Sequence, residues 1–417
     1  MKFQDYPIGP EIKKNIARLG FKRPTDIQYK SIPHVLKGED VLAIAQTGTG
    51  KTAAFAIPII HHLQERKLNQ RRPDGIKCLV MVPTRELAIQ ITEVIEELAK
   101  MTRVNTYGLY GGVEQDPQIT KLQGGIDILV STPGRMFDLV SQKHLDLHRV
   151  EILVLDEADH MLDLGFIVDI RDLMRFLPKK RQTLFFSATI DDKIKKLAYS
   201  LVQKPIRIQI SPKDPVSKNV DHSVSYIEMD DKRFFLERLI TEYSETKILV
   251  FVRTKVRAER VHKAMERVNI KTLTMHGDKD QGDRLDVMNQ FKSGAVNVLI
   301  ATDVSARGID IPDVGYVVNY DLPDQAENYV HRVGRTGRGK NRGFAISFCS
   351  KEEVPILKEI QSFLNSEIKV NKIEKSDYAE TLDFSEEQSY DIKALMQEAE
   401  TFFESKKKKG KKGKGRK

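Results

Sequence analysis

Three carboxylates are crowded at the end of an apolar run in the segment "EILVLDEADHML". Asp156 and Glu157 directly follow the run from Ile152 to Leu155, and Asp159 comes two places later. Carboxylates at the end of a buried strand repel one another and lose hydration, so a positive charge must lie close to them. Taken alone, acidic residues in a first helical turn can also be simple partners of the helix dipole.

A glycine-rich segment upstream has the pattern of a phosphate-binding loop, or P-loop. "AQTGTGKT", from Ala45 to Thr52, follows a strand-like run and precedes a helix-like one. Glycines allow backbone N–H groups to surround phosphates, Lys51 neutralises their charge, and Thr52 can bind Mg²⁺. The general pattern of such loops begins with glycine where this chain has Ala45, but the G-K-T ending is kept. The pattern predicts a nucleotide bound by the loop residues Thr47, Gly48, Thr49, Gly50, Lys51 and Thr52.

The P-loop indicates what the three carboxylates do. In P-loop proteins a carboxylate at the end of a neighbouring strand holds the Mg²⁺ that accompanies the nucleotide. Asp156 fits that role together with Thr52, and the metal supplies the missing positive charge. The adjacent Glu157 can orient and deprotonate the attacking water. We therefore predict nucleotide hydrolysis with Lys51 and Glu157 as catalytic residues.

The positive charge of the chain is concentrated at one end. The 417 residues carry a net charge of +9, and the segment from Lys406 to Lys417 contains nine Lys and Arg residues and no acid. Without that segment the chain has 59 basic and 59 acidic residues. We expect nucleic-acid contacts in the body to depend on local placement of groups, and the tail to supply a diffuse field. Plain solubilising disorder is the alternative for such a lysine run.

Several classes of protein are disfavoured by the apolar pattern. No apolar stretch approaches the roughly 20 residues that span a bilayer, so we expect no membrane association. The first residues, "MKFQDYPIGPEIKK", lack the apolar centre of a signal peptide. Cys78 and Cys349 both lie in apolar strand-like runs, which indicates buried thiols and predicts a cytoplasmic location.

Short apolar runs alternate with helical segments along most of the chain. "VLAIA", "CLVMV", "DILVS", "EILVL" and "TLFFS" precede a proline-containing polar stretch, and "KILVFV", "KTLTM", "VNVLIA", "YVVNY" and "GFAISF" follow it. Such alternation predicts an α/β fold of two tandem parallel-sheet lobes joined by a short linker, although no strong residue-level repeat is visible. The predicted parts are an N-terminal lobe (1–209), the linker (210–221), a C-terminal lobe (222–368), an acidic helical extension (369–405) and a disordered basic tail (406–417). A cleft between the lobes is the expected place for chemistry.

A series of further motifs resembles the DEAD-box ATP-dependent RNA helicases from Phe3 to about residue 365. The matching segments, in order, are "GFKRPTDIQ", "PTRELA", the "GG" of Gly111 and Gly112, "TPGR", "DEAD", "SAT", "VFVRT", "ATDVSARGID" and "HRVGRTGR". Each motif is weak alone, whereas their joint occurrence in this order is specific. The resemblance implies two RecA-like lobes that bind ATP and Mg²⁺. "MHGDKDQGDR" and the basic tail are similar to the bacterial RhlE-like subgroup.

The resemblance also implies roles around the nucleotide. Gln28 would recognise adenine, with Phe3 and Phe21 packing nearby. Asp310 would approach the ribose, while Arg335 and Arg338 would reach the γ-phosphate from the second lobe as further catalytic residues. Coupling between nucleotide and lobe movement would involve Asp159, Ser187, Thr189 and His331. Asp26 stands where many relatives have proline, at a place not expected to touch the nucleotide.

An RNA-binding surface is implied on both lobes. The residues are Pro83, Thr84, Arg85, Gly112, Thr132, Gly134 and Arg135 on the first lobe, and Arg253, Gln281, Arg284, Thr302 and Asp303 on the second. Small hydroxyls and glycine N–H groups contact phosphates and sugars without reading bases, so low sequence specificity is expected. Contacts to the 2′-hydroxyl would distinguish RNA from DNA. Arg85 and Arg135 could instead be surface ion-pair partners, and His160 and His276 have no partner at metal-ligand spacing.

These observations predict an ATP-dependent RNA helicase. It would couple ATP hydrolysis to local unwinding or remodelling of RNA duplexes and ribonucleoproteins, in ribosome assembly or RNA turnover, as a monomer with ribosomal or RNA-degradation partners. One alternative is a DNA-directed helicase or translocase of the same superfamily. A second is an ATP-independent RNA chaperone that works through its tail, which would have no need of Lys51, Asp156, Glu157 and Arg335.

Overall fold

Runs of branched apolar residues form the centres of two parallel β-sheets. The computed structural model describes residues 2–46, 48–69, 75–190, 192–210, 216–303, 314–337 and 342–383. Within them, strands such as Val41–Ile44 and Ile152–Leu155 are buried at every position, as expected for strands covered by helices on both faces. The predicted α/β fold of two lobes is confirmed.

The N-terminal lobe contains seven strands that pair only in parallel. They are β1 (Val41–Ile44), β2 (Cys78–Met81), β3 (Thr106–Leu109), β4 (Ile128–Ser131), β5 (Ile152–Leu155), β6 (Gln182–Ser187) and β7 (Ile206–Gln209). Their order across the sheet is β3-β4-β2-β5-β6-β1-β7. The P-loop strand β1 is therefore next to β6, and β5, which ends at the three carboxylates, lies on the far side of β6.

The C-terminal lobe repeats this arrangement. Its strands are β8 (Val220–Tyr226), β9 (Lys247–Phe251), β10 (Leu273–Met275), β11 (Val298–Ala301), β12 (Val314–Asn319), β13 (Gly343–Cys349) and β14 (Lys369–Val370). The order β10-β11-β9-β12-β13-β8-β14 is that of the first lobe shifted by seven. The two lobes thus share one topology although no residue-level repeat is visible.

Helices cover both faces of each sheet. Those of the first lobe are α1 (Pro10–Arg18), α2 (Asp26–Leu36), α3 (Lys51–Asn69), α4 (Arg85–Ala99), α5 (Asp116–Gln123), α6 (Pro133–Ser141), α7 (Ala158–Asp163), α8 (Ile167–Leu173) and α9 (Asp192–Leu201). Those of the second are α10 (Lys232–Glu242), α11 (Lys255–Arg267), α12 (Gln281–Ser293), α13 (Ala326–Val333), α14 (Val354–Leu364) and α15 (Lys375–Asp383). Short 3₁₀ turns occur at Phe3–Asp5 and Lys351–Glu353.

Several helices begin immediately after a strand, with a capping residue between the two. Thr84 Oγ1 accepts a hydrogen bond from Leu87 N at the start of α4, and Thr254 Oγ1 accepts one from Arg257 N at the start of α11. Pro133 occupies the first position of α6, where its missing N–H costs nothing. Because all strands are parallel, these helix N-termini lie at the carboxyl edges of the sheets, where ligands of such folds bind.

Parts of the sequence-based prediction fall outside the described residues. These are Thr47, Arg338 and Asp310 of the site, residues 211–215 of the linker, 384–405 of the extension and the whole tail. Strand β14 and helix α15 follow residue 368, and α15 packs on α10 through Phe235 and Tyr378, whose ring centroids are 4.9 Å apart. Across the described ranges, no helix is both long and apolar enough to cross a membrane.

Candidate nucleotide and RNA site

The P-loop is shaped by glycines and by one internal hydrogen bond. Gly48 and Gly50 have φ angles of +79° and +90°, which residues with a Cβ rarely adopt. A Cβ on Gly50 would lie 2.5 Å from Gln28 Nε2, so a side chain there would displace the Gln28 amide. Thr49 Oγ1 donates to Gln46 O at 2.7 Å. These features shape the turn that leads into α3, and backbone N–H groups at such a helix N-terminus are suited to phosphates.

Lys51 begins α3 with a buried and unsatisfied ammonium group. Its side chain is 6% exposed, and in the described part of the chain its Nζ has no hydrogen-bond partner. The nearest carboxylate oxygen recorded for it, Asp156 Oδ1, is 3.9 Å away, which is an ion-pair distance but too long for a hydrogen bond. A buried ammonium with three free donors is suited to phosphate oxygens.

Asp156 occupies the end of β5, where burial makes its ionisation costly. Burial raises the pKa of this carboxyl, Lys51 lowers it, and Glu157 and Asp159 raise it further, so that the pKa reaches about 6. Its Oδ1 accepts a hydrogen bond from Glu157 N. A second positive charge beside Asp156 would relieve this cost, which answers why three carboxylates can share one strand end.

Glu157 has a strained backbone and an ionised side chain. Its φ and ψ of 50° and 49° lie in the left-handed region, which costs a residue with a Cβ roughly 1–3 kcal/mol. Burial would raise its pKa, but His160 and the charges of Lys51 and Arg335 outweigh burial and lower the pKa to about 2. Glu157 is thus a fixed carboxylate in a site that contains positive charge from both lobes.

His160 is a site residue that the sequence prediction did not include. It is buried, its Nδ1 lies 3.5 Å from Glu157 Oε2, and it lines the interlobe cleft. The sequence signal was available, because residues three apart on a helix share one face and His160 is three places after Glu157. The prediction considered this histidine only as a metal ligand.

Asp159 is bonded to the "SAT" segment. Its Oδ2 accepts hydrogen bonds from Ala188 N and Thr189 N, both at 3.0 Å, and from Thr189 Oγ1 at 3.2 Å. Ser187 is fully buried, and its Oγ has no partner among the described residues. The structure therefore joins Asp159 to Thr189 directly, while Ser187 points a free hydroxyl into the protein.

Gln28 is held against the P-loop. Its Nε2 donates to Gly50 O at 3.1 Å, and its Oε1 accepts from Thr25 N at 3.0 Å in a capping box. One N–H and one lone pair of the amide remain, which is the pair that adenine N7 and N6 require. Phe21 is half-buried, whereas Phe3 is almost fully buried behind it, with ring centroids 6.4 Å apart.

The two lobes enclose a cleft of about 1110 Å³. The first lobe contributes Thr49 and Glu157, and the second contributes His331 and Arg335 from α13 and the residues after it. Arg335 is 4% exposed, and its Nε donates to His331 O at 3.2 Å. The sequence-predicted P-loop, carboxylates and arginine are therefore brought to a single site although they lie up to 290 positions apart in the chain.

The predicted RNA-binding residues of the first lobe lie around two helix N-termini. Thr84 and Thr132 precede α4 and α6, which begin side by side because β2 and β4 are neighbours. Arg135 Nη2 donates to Val113 O at 2.9 Å, and this bond stabilises the turn that contains Gly111 and Gly112. Gly112 has a φ of +79° and lies so close to Arg85 that a Cβ would clash with the guanidinium. Pro83 and Gly134 belong to the same two turns.

On the second lobe, two predicted RNA contacts have their charges already paired. Arg253 binds Glu353 at 2.8 Å and Asp324 at 3.1 Å. Asp303 makes a two-point ion pair with the buried Arg332, at 2.5 and 2.7 Å. Pairing offsets the negative charge of Asp303, which would otherwise repel phosphates, and it fixes the position of Asp303 two residues after β11. Thr302 N, directly after β11, donates to Met275 O at the end of β10.

Gln281 and Arg284 contact the opposite lobe. Arg284 Nη2 lies 3.0 Å from Glu86 Oε1, and both side chains are largely buried. Gln281 Nε2 donates to Glu86 Oε1 at 3.4 Å, and its Oε1 accepts from Arg85 at the same distance. The first turn of α12 thus binds the first turn of α4 between the lobes, using two residues that were predicted to contact RNA.

This contact gives a first prediction. Arg284→Ala leaves Glu86 without its cation, and breaking a buried ion pair costs roughly 3–5 kcal/mol. We expect the RNA concentration for half-maximal ATPase to rise at least about tenfold, since 1.4 kcal/mol is tenfold. The exposed Arg260→Ala on α11 is the control. The charge exchange Glu86→Arg with Arg284→Glu should recover part of the loss, and a double variant no better than the single one would contradict an interlobe role.

A second prediction concerns Asp156 and pH. Its folded pKa of about 6 exceeds the ordinary value of 3.8, so the native state favours the protonated form. The destabilisation is therefore absent below about pH 4, grows between pH 4 and 6, and is complete above pH 6. Asp156→Asn should raise the free energy of unfolding of the nucleotide-free chain at pH 8 by up to about 3 kcal/mol.

The measurement is denaturant unfolding of both chains between pH 5 and 8. The stabilisation should decrease as the pH falls through 6, while Asp286→Asn, at an exposed position of α12, should leave the unfolding free energy unchanged. An equal effect of Asp156→Asn at pH 5 and pH 8 would show that the Asp156 carboxyl is not a costly buried charge.

Both lobes of the chain match known helicase families. The model of the DEAD/DEAH box helicase family matches residues 25–197, and that of the helicase conserved C-terminal domain matches residues 231–340. The ATP-dependent RNA helicase RhlB of Shewanella sp. (strain W3-18-1) is 43% identical over 383 residues, which cover 90% of this chain and 86% of the relative. RhlB of Shewanella oneidensis is 41% identical over 382 residues, with the same coverage.

Solved structures of similar shape include two helicases with bound RNA. S. cerevisiae Dbp5 bound to RNA and ADP BeF3 has a TM-score of 0.79 and 31% identity, covering 92% of this chain and 98% of that one. The DEAD-box helicase Mss116 bound to ssRNA and UDP-BeF has a TM-score of 0.80 and 29% identity, covering 92% and 82%. Both similarities extend over the two lobes.

Proposed function

Because this chain belongs to the DEAD-box family of ATP-dependent RNA helicases, we propose that its lobes close on ATP and single-stranded RNA together, and that hydrolysis reopens them. The observation that carries the proposal is the shared cleft, in which Thr49 and Glu157 of one lobe face Arg335 of the other. In an open arrangement Arg335 would be withdrawn, so free enzyme should hydrolyse ATP slowly. RNA would then act by favouring closure.

Within the cleft, we assign Lys51 to the phosphates and Glu157 to the attacking water. A base with a pKa near 2 takes up a proton poorly at neutral pH, so in the nucleotide-free site Glu157 can orient water better than deprotonate it. Phosphates that pair with Lys51 and Arg335 would remove two of the charges that lower this pKa. Nucleotide binding should therefore bring Glu157 closer to the pKa of a useful base.

The residues present fit a Mg²⁺ ion bound together with the nucleotide. Asp156 is a buried carboxylate with a raised pKa, and carboxylate, hydroxyl and phosphate oxygens are the ligands that Mg²⁺ prefers. Asp156 and Thr52 would hold the ion with phosphate oxygens. Such an ion would neutralise the charge that develops on the transferred phosphoryl group.

For RNA, we propose a path along the N-termini of α4 and α6 on one lobe and of α11 and α12 on the other. Helix N-termini and small hydroxyls bind phosphates and sugars without reading bases, which favours sequence-independent binding. A strand that follows both lobes in the closed state would be bent. A bent strand no longer fits its duplex, and the partner strand would be released.

Stimulation of hydrolysis tests this proposal. The ATPase rate of the full chain is measured with increasing single-stranded RNA and, separately, with single-stranded DNA of the same base sequence. RNA should raise the rate many-fold and DNA should have little effect, because contacts to the 2′-hydroxyl distinguish the two. Equal stimulation by DNA would favour a DNA-directed motor, and no stimulation by either would overturn the proposal.

Adenine preference gives a third prediction. Gln28 offers one free donor and one free acceptor, and guanine has an acceptor where adenine has its N6 donor. Sites built on such hydrogen bonds reject the mismatched base because polar groups remain unpaired. We expect RNA-stimulated hydrolysis of ATP to exceed that of GTP, and Gln28→Ala to reduce the difference. Equal rates with both nucleotides in the unmodified chain would contradict the assignment.

In the cell, we propose remodelling of RNA during ribosome assembly or RNA turnover, in the cytoplasm. Cys78 and Cys349 are buried free thiols, which accords with a reducing compartment. The relatives described above are RhlB enzymes, and an RhlE-like subgroup stays a prediction. Cross-linking of the chain to RNA in cells, followed by sequencing, would test the choice between ribosomal precursors and messenger RNA.

A further inference from the structure

The sheet of the first lobe has an open edge at β7. Among the described residues β7 pairs only with β1, and it is the last strand in the sheet order. Ile206 N and Ile210 N donate to Asp40 O and Ile44 O of the β1 side. Because successive residues of a strand point their backbone groups to opposite sides, the N–H and C=O of Arg207 are directed away from the sheet. This edge can accept a further strand.

A groove runs along this edge. Helix α2 forms its other wall, and the groove has a volume of about 530 Å³. Tyr29 and Pro33 line it beside Ile206 and Ile208, and the Tyr29 side chain is 51% exposed. Such a combination of an open backbone edge and apolar side-chain contacts is the one used in β-strand addition.

The rim of the groove is positively charged. Lys30 and Arg207 line it and are exposed, and none of the described residues that line it is acidic. His34, also in the lining, contacts Glu39 through Nδ1 at 2.6 Å. If two copies of this chain paired through this edge, their Arg207 side chains would come close together. Repulsion between these like charges disfavours such a dimer. RNA lacks the alternating N–H and C=O groups that a strand edge binds.

We propose that this groove, formed by β7 and α2, binds an extended acidic segment of a partner protein as an eighth strand. The backbone of Arg207 would pair with the added strand, Tyr29 and Pro33 would contact its apolar side chains, and Lys30 and Arg207 its carboxylates. Gln209 lines this groove and the interlobe cleft alike. The partner would therefore bind beside the strand from which the chain passes toward the second lobe.

The test uses a defined probe, a fluorescent six-residue peptide of alternating glutamate and valine. Anisotropy is measured with the full chain, and hydrogen exchange of the Arg207 amide is measured with and without peptide. The peptide should bind and slow that exchange. The same peptide with lysine in place of glutamate should bind at least about tenfold more weakly, and so should one whose valine nitrogens are methylated.

Charge reversal on the protein completes the test. Lys30→Glu with Arg207→Glu should weaken binding at least about tenfold, since each reversal turns attraction into repulsion. The matched control Lys179→Glu with Lys195→Glu, on exposed positions of the same lobe, should bind like the unmodified chain. Equal binding of the lysine peptide, unchanged exchange at Arg207, displacement of the peptide by poly-U RNA, or a concentration-dependent dimer lost on charge reversal would each overturn the proposal.

Discussion

Arg335→Ala is expected to lower RNA-stimulated ATP hydrolysis by about 10³- to 10⁵-fold, the contribution of an arginine finger in related phosphoryl transfers. Arg335 is buried in the cleft, held through Nε by His331 O, and close enough to Glu157 to lower the pKa of that carboxyl. Among the described residues of the second lobe, Arg335 is the arginine that lines the cleft opposite the P-loop. Its loss should leave RNA affinity within a few-fold, because no assigned RNA contact is removed.

The measurement compares steady-state ATPase and RNA affinity of the same preparation. Arg342→Ala, at an exposed position, is the control and should behave like the unmodified chain. A parallel fall in both activity and RNA affinity would show that Arg335 supports folding or RNA binding. An activity within tenfold of the unmodified chain would remove Arg335 from the catalytic site.

Glu157→Gln should abolish turnover while ATP and RNA still bind. General-base and positioning groups contribute roughly 10²- to 10⁴-fold to rate. The amide has the size of the carboxylate but carries no charge, so it holds a water more weakly and cannot take up its proton. Since hydrolysis reopens the lobes in the proposed cycle, this variant should accumulate as a complex with ATP and RNA that dissociates slowly.

Dissociation of labelled RNA from the Glu157→Gln chain, with ATP and with ADP, measures this accumulation. Glu151→Gln, at a half-exposed position before β5, offers a control that should turn over normally. Ordinary steady-state ATPase in Glu157→Gln would show that another group activates the water. His160→Asn extends the test, because removal of the imidazole should raise the pKa of Glu157 and leave nucleotide binding intact.

Most of the strands that the sequence predicted are central ones, although β10, predicted from "KTLTM", is at a sheet edge. "VLAI", "CLVM", "ILVS" and "ILVL" form β1, β2, β4 and β5, each buried at all four positions. Strands β3, β7, β8 and β14 were not predicted. Of these, β3, β7 and β14 are at the edge of a sheet, and β8 ("VDHSVSY") carries several polar residues. An edge strand is half exposed and carries polar residues such as Arg207, so it lacks the apolar run that identifies a covered strand.

The site shows the same division between local and distant information. The P-loop and the three carboxylates are local patterns, so their chemistry could be inferred from spacing alone. The contact of Glu86 with Arg284 joins residues 198 positions apart, and the pairing of Arg253 with Glu353 joins residues 100 apart. Each of these two contacts joins different helices or loops, so no periodicity or spacing in the sequence predicts it. The contact of His160 with Glu157 differs from these, because the three-residue spacing of the two on a helix could have predicted it.

Closure of the lobes on ATP and RNA together is the central claim, and the distance between the lobes measures it most directly. Lys195→Cys on α9 and Arg260→Cys on α11 place one dye on each lobe, and the buried Cys78 and Cys349 should stay unlabelled. Single-molecule energy transfer between the dyes should change to one closed value only when a non-hydrolysable ATP analogue and single-stranded RNA are both present. The same closed value with either ligand alone, or no change with both, would contradict the account.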